Sequence, residues 1–523
     1  MSKNKVYAKE WFDKGVELKK FERHEEALEC FNKALEINPN YIEAWNDKGI
    51  ALRNLGRFEE ALLCFDKALE LDKNYAYAWN NKGNVLNNLG RYKEALLCLD
   101  KALELDKNLA YAWNDKGIAY GSLGRQKIAL ECFNKALEID PNYAYAWNNK
   151  GLLLNSIGNS EDALKCFDKA LELNPKYAHA WNNKGHILDA LGRYEDALLC
   201  LDKSLEINPN IAQVWNNKGN ALRNLGKFED AIKCYNKALE LNPYFSDALN
   251  NKGITLGIIG KFEDAISCHE NALIIDPNNA KTWTFKGIAL SELGKFKEAI
   301  SCYDAALKID KNLIEAWNNK GIALYHLKKF DLAIECYDAA LKIDENYIDA
   351  LNNRGIALSE LGRAIEAIEC FDKVLELNSE LAVVWYNKGN ALGILGRHEN
   401  AIKCYDKSLE LNPNNAKVWS FKGIALDKLK NPKEALKCHN KALELNPNYV
   451  DGWNNKGIVL YNIGKYEDAI NCFNKALELN PNSEIAWNNL NLAKKIGRTK
   501  IQGVYILDFH AICKVSRLCN FVG

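Results

Sequence analysis

Apolar and polar positions alternate along this chain in two helical series that follow one another and then begin again. Between residues 42 and 75, Trp45, Gly49, Leu52 and Leu55 recur at i, i+4, i+7 and i+10, which places them on one helix face. After Gly56 a second series runs Phe58, Ala61, Leu62, Phe65, Ala68 and Leu69, again one face of a helix. Glu59 and Glu60 fall in the first turn of that second helix, where the macrodipole favours negative charge. Many copies end on Asn-Pro or Asp-Pro, as at Asn38-Pro39, because proline cannot continue a helix and restricts the residue before it. The pattern predicts an antiparallel helical hairpin whose apolar face is too large to bury alone.

The hairpin recurs every 34 residues without insertion or deletion, in fourteen copies from Ala8 to Ser483. All thirteen tryptophans fall on one phase of this period, and only Leu249 and Leu351 replace Trp at that phase inside the array. Such self-similarity points to a stacked repeat architecture. Trp45, Gly49, Ala61, Phe65 and Ala68 resemble the tetratricopeptide repeat pattern, with Lys48, Leu52 and Lys73 departing from it. The resemblance implies an all-α, right-handed superhelical solenoid of 34-residue helix-turn-helix repeats, with first helices lining a concave groove. The expected organisation is an N-terminal arm over 1–7, the repeats over 8–483, a capping helix over 484–496 and a tail of unassigned structure over 497–523. The tail could dock on the last repeat, pair with another chain or stay loose. A three-repeat block, Ser246–Tyr347, recurs at Ala382–Ser483 and reads as a duplication.

Charge narrows the choice of partner. Lys plus Arg equals Asp plus Glu at 69 each, so the formal net charge is zero, which argues against nucleic acid and anionic membranes. No apolar signal core opens the chain and no run of eighteen apolar residues occurs, so a cytoplasmic protein without a membrane span is expected.

Sixteen cysteines invite a disulfide or metal reading, but fourteen of them occupy one position of the period, one per copy. Disulfides need Cβ atoms roughly 4 Å apart and zinc sites need clustered ligands, so packed free thiols are expected. His269 and His439 replace Phe or Tyr of other copies and read as core substitutions. No nucleophile–base pair, phosphate loop or carboxylate pair stands outside the repeat pattern, so neither an enzyme nor a cofactor is expected.

The face of the first helices carries the candidate site. Asn follows Trp in most copies, as Asn80, Asn114, Asn148, Asn182 and Asn216, and a second Asn often comes next, as Asn81, Asn149, Asn183 and Asn217. A side-chain amide offers donors and an acceptor together, so it can bond both backbone groups of an extended peptide. The series resembles the asparagine ladder of O-linked N-acetylglucosamine transferases, which implies peptide-backbone binding; nothing here resembles their catalytic domain. One turn before these residues stand Tyr77, Tyr111, Tyr145 and His179, and Asn84 and Asn220 extend the polar lining. The expected function is a protein-protein interaction scaffold holding extended peptides against these fifteen residues. Sequence-tolerant RNA binding is the alternative, suggested by Lys before the repeated Gly in thirteen copies. Self-association through the ends or the tail is a third reading.

Overall fold

The computed structural model describes residues 3–501, with side chains over residues 5–495. The described residues form twenty-nine α-helices and no strand. The chain divides into two compact units, Met1–Thr255 and Leu256–Gly523. The first unit opens with α1 (Lys3–Lys20), α2 (His24–Ile37), α3 (Ile42–Asn54), α4 (Phe58–Leu71), α5 (Ala76–Asn88), α6 (Tyr92–Leu105) and α7 (Ala110–Ser122). From α3 onward 13-residue first helices alternate with 14-residue second helices. The second unit repeats the alternation from Phe262–Ile275 to the last helix, Glu484–Ile501. Each unit is an all-α solenoid of stacked hairpins.

Local chemistry sets the boundaries. At the end of α3, Gly56 takes φ +75°, and the N–H groups of Arg57 and Gly56 bond the carbonyls of Leu52 (2.9 Å) and Arg53 (3.0 Å). This is the left-handed glycine cap that satisfies the last carbonyls of a helix. Glu22, Lys328 and Lys430 hold the same turn at φ 59° without glycine, a conformation that costs L-residues about 1–2 kcal/mol. Between copies, Asp72 Oδ1 accepts the Asn74 N–H at 2.9 Å, closing an Asx turn.

Packing follows the small residues. A Cβ added to Gly49 would lie 2.6 Å from Cε1 of Phe65, so glycine lets α3 close onto a fully buried ring of α4. One cluster then runs on through Leu52, Phe65, Leu86, Leu99 and Ala112, so neighbouring hairpins complete each other's core. The fourteen cysteines among the described residues are free and buried, at the edge of that core. Burial pushes the Cys64 thiol up to about 11. His269 and His439 are buried in the positions where other copies hold an aromatic ring.

Tryptophan lies on the packing face that its spacing predicts, at the edge of the core. It is half-buried, and its indole N–H closes the turn six residues earlier. Trp45 Nε1 donates to Pro39 O at 2.8 Å, Trp79 to Lys73 O at 2.9 Å and Trp181 to Pro175 O at 3.0 Å. Its bulk packs while its polar tip holds the loop.

Both ends are longer than the sequence pattern predicts. Helix α1 starts at Lys3 and takes in most of the segment expected as an arm, because nothing between Lys3 and Gly15 breaks a helix. The last helix reaches Ile501 rather than residue 496. Its Ala486, Leu490 and Ala493 are buried, whereas Trp487 is half exposed. Residues 502–523, nearly all of the tail left unassigned, lie outside the described residues.

Candidate functional site

The asparagines after Trp do not face solvent. Asn80, Asn114, Asn148, Asn182 and Asn216 are only 3 to 8% exposed, which corrects the expectation that they line an open groove. In most steps of the first unit the second Asn of one copy donates to the first Asn of the copy before. Asn81 Nδ2 reaches Asn46 Oδ1 at 2.9 Å, Asn149 reaches Asn114 at 3.0 Å and Asn183 reaches Asn148 at 2.9 Å. Asn217 and Asn251 continue the series onto Asn182 (2.9 Å) and Asn216 (3.0 Å). The second unit has its own rungs, including Asn353 to Asn318 and Asn489 to Asn454. There Tyr386 and Phe421, also 35 residues apart, replace an amide rung by ring contact at 5.5 Å. The amides thus form an internal ladder between first helices. Buried polar groups persist where each finds its partner, and each such bond contributes about 0.5–1.5 kcal/mol net.

The ladder breaks between α5 and α7. Asp115 stands where a donating Asn is needed and is 5% exposed. Its Oδ2 accepts from Asn84 Nδ2 at 2.9 Å and its Oδ1 from Asn114 Nδ2 at 3.1 Å, while Asn87 Nδ2 bonds its main-chain carbonyl at 2.8 Å. Arg53 approaches from α3 and donates to Asn84 Oδ1 at 3.3 Å. Burial pushes the Asp115 carboxyl up to about 6, against the opposing pull of the Asn84 and Asn114 bonds and the Arg53 charge. Burial also lowers the Arg53 guanidinium. The acceptors Asn80 Oδ1 and Asn87 Oδ1 lie buried without a partner.

Over this spine lies a row of rings. Tyr77, Tyr111 and Tyr145 are 52, 52 and 51% exposed, and His179 is exposed as well. Tyr143 and Tyr177, at the ends of their copies, fill the spaces between. Tyr111 to Tyr143 is 4.9 Å, Tyr143 to Tyr145 6.1 Å, Tyr145 to Tyr177 4.7 Å and Tyr177 to His179 6.4 Å between centroids. Burial drives the Tyr143 phenol far above its usual range, with Asp115 adding to the effect. Of the other expected residues, Asn81, Asn149 and Asn183 are half-buried and Asn217 buried, all in rungs. Asn84 belongs to the Asp115 cluster, and Asn220 accepts the Tyr235 hydroxyl at 2.9 Å. Of the expected residues, the three tyrosines and His179 are the exposed ones. Sequence reasoning missed Arg53, Asp115, Tyr143 and Tyr177; the recurrence of Tyr in the last position of several copies was the available signal.

Most of the repeated lysines are engaged. Lys82 Nζ sits 2.6 Å from Asp66 Oδ1 and 5.8 Å from the Trp79 ring centroid; Lys184 repeats this with Asp168 (2.5 Å) and Trp181 (5.8 Å). Lys116 and Lys218 pair with Asp100 and Asp202, both at 2.6 Å. Each of these four lysines thus has a carboxylate partner on the second helix of the copy before. In the second unit a recess is lined by Tyr325, Ser359, Glu360, Asn387 and Asn390, and burial raises the Glu360 carboxyl. Among the described residues no group of three or more His, Cys, Asp or Glu could hold a metal ion, and no helix is long and apolar enough to cross a membrane.

Comparison with known proteins agrees with this geometry. Family models described as tetratricopeptide repeat match residues 8–41, 42–75, 144–177, 178–211, 212–245, 314–347, 348–381, 382–415, 416–449 and 450–483. Related repeat models match 74–142, 234–267 and 287–328. A solved structure titled "Crystal structure of APC/C hetero-tetramer Cut9-Hcn1" aligns over 94% of this chain and 96% of that one, with TM-score 0.50 and 20% identity. At that identity the likeness shows the fold alone. No curated protein matches the sequence.

Proposed function

The chain belongs to the tetratricopeptide repeat family, and on that premise we propose that it is a protein-binding scaffold that holds an extended segment of a partner against its first-helix face. One observation carries this reading. Tyr77, Tyr111 and Tyr145 stand half exposed on successive first helices, and no hydrogen bond to another described residue occupies their hydroxyls. Half-exposed tyrosine supplies rigid apolar area with a polar tip, the combination that peptide contacts use. The buried amides give these rings a fixed floor, so their role in binding is to position the tyrosines. His179, Asn81, Asn149 and Asn183 extend the surface at its edges.

The test replaces Tyr77, Tyr111 and Tyr145 together by Ala and compares capture of purified partner segments with that by a Lys67→Ala/Glu70→Ala/Lys101→Ala variant on exposed positions of the second helices. Loss in the first variant alone supports the reading. Loss in the second alone moves the working surface to the second helices. Binding through lysine–phosphate contacts would instead weaken steeply with added salt in every variant.

A further inference from the structure

We infer that the tyrosine row of the first unit is a seat for an uncharged, proline-rich segment in polyproline II conformation. The inference rests on the reading of the first-helix face as the binding face and names the chemistry of what binds there.

Spacing is the first argument. Tyr143 lies 4.9 Å from Tyr111 and 6.1 Å from Tyr145, so the two exposed rings are at most the sum of those distances apart, roughly 11 Å. A polyproline II helix repeats every three residues at 3.1 Å each, about 9 Å per turn. That ceiling leaves room for one turn of such a chain between the Tyr111 and Tyr145 rings.

Hydrogen-bonding capacity is the second. The ladder consumes the amide groups that a β-like peptide would need for both its N–H and its C=O groups. What is left on the surface is phenolic hydroxyls, which can donate to carbonyls. Prolyl segments offer carbonyls and lack the N–H, so nothing of theirs goes unpaired on this face. A preformed polyproline II helix also loses little entropy on docking to an aromatic groove.

Charge is the third. From Tyr77 to Gln213 the row reads Tyr77, Tyr111, Tyr145, His179, Gln213, without a carboxylate or an ammonium, and it is bounded in the same unit by Glu43 and Asp247. In the second unit the same position reads Lys281, Glu315, Asp349, Val383, Lys417 and Asp451. The two rows select different partners, and the uncharged one suits an uncharged chain.

The experiment is calorimetric titration of the full chain with a nonaproline peptide and with a Gly-Ser peptide of equal length. The expected result is binding of nonaproline only. Tyr111→Ala and Tyr145→Ala should each weaken it by about 3–10-fold, the worth of one aromatic contact. Tyr111→Phe/Tyr145→Phe should weaken it by a smaller factor, about 3-fold, through the lost hydroxyl bonds. Equal affinity for the two peptides, or indifference to both Ala changes, overturns the inference. Random displayed peptides selected on the chain separate it from the wider reading. Proline-free winners that need Tyr111 and Tyr145 overturn the proline seat and leave the binding face standing. Winners indifferent to every first-helix substitution overturn both.

Discussion

Asn80 and Asp115 stand 35 residues apart, the interval that separates each bonded asparagine pair in the ladder, yet no hydrogen bond joins them. A carboxylate has no N–H to give, so Asn80 Oδ1 is left buried and unpaired. An unsatisfied buried acceptor costs about 1–3 kcal/mol. Asp115→Asn should restore the rung and raise the unfolding free energy of the first unit by about 1 kcal/mol at pH 7. Urea denaturation checks this, and a loss of stability would show that the Asn84–Asp115–Asn114 cluster outweighs the missing rung.

Stability should respond to pH in opposite directions around Asp115 and around the two buried histidines. The Asp115 carboxyl is raised from 3.8 to about 6, so the folded state holds the proton more tightly than the unfolded chain. Its contribution therefore falls as pH rises from about 4 to about 6. The groups facing it are Arg53, Asn84, Asn114 and Tyr143. His269 and His439, in the second unit, are lowered by burial from 6.5 to about 4. They favour the fold above pH 6.5, and that contribution is lost as pH falls toward 4. Each swing is on the order of 2–3 kcal/mol. Hydrogen exchange corrected for intrinsic rates should show α5 and α7 better protected at pH 5 than at pH 7. The helix Pro432–Leu445 should be less protected at pH 5, and His439→Phe should cancel that change.

An intact rung should be costly to remove. Asn148→Ala strips the acceptor from Asn183 and should destabilise the first unit by about 1–3 kcal/mol, although alanine is the better helix former. Lys169→Ala, on an exposed i,i+3 ion pair with Glu172, should stay within about 0.5 kcal/mol. Equal effects from the two changes would mean that the ladder contributes nothing.

Trp181→Ala should cost about 2–4 kcal/mol, at or below the range for a fully buried aromatic, since the ring is half-buried but also loses its bond to Pro175 O. Only nearest neighbours share its contacts, so exchange protection should fall around residues 144–210 and persist in α1 and α2. Uniform loss throughout the first unit would contradict that locality.

The hairpins, their 34-residue period and the buried cysteines and histidines were legible in the sequence because each depends on spacing within one copy. The asparagines were misplaced for the complementary reason. Asn148 has its partner 35 residues away in Asn183, and periodicity along a single helix cannot reveal a bond between helices. A clue existed in the paired Asn of copy after copy, since Asn is a poor helix former and its repetition needs a cause. The indole bond was hidden for the same reason: Trp45 Nε1 donates to the Pro39 carbonyl in the preceding turn, a contact that spacing along one helix does not show. The extension of α1 to Lys3 left no sequence signal beyond the absence of a breaker.

Because a rung joins like to like, the repeat is also a unit of exchange. Excising a whole 34-residue copy within the Asn-Asn run from Asn148 to Asn217 would bring together a donor and an acceptor of the same kind, leaving no polar group stranded. The series could thus lengthen or shorten by copying at no cost in hydrogen bonds. Asp115 and the Tyr386–Phe421 contact are exceptions, since each fits only the neighbour it has. They give fixed places in an otherwise interchangeable sequence of copies, and a surface feature built beside them, such as the tyrosine row over Asp115, keeps its position however many copies are added elsewhere.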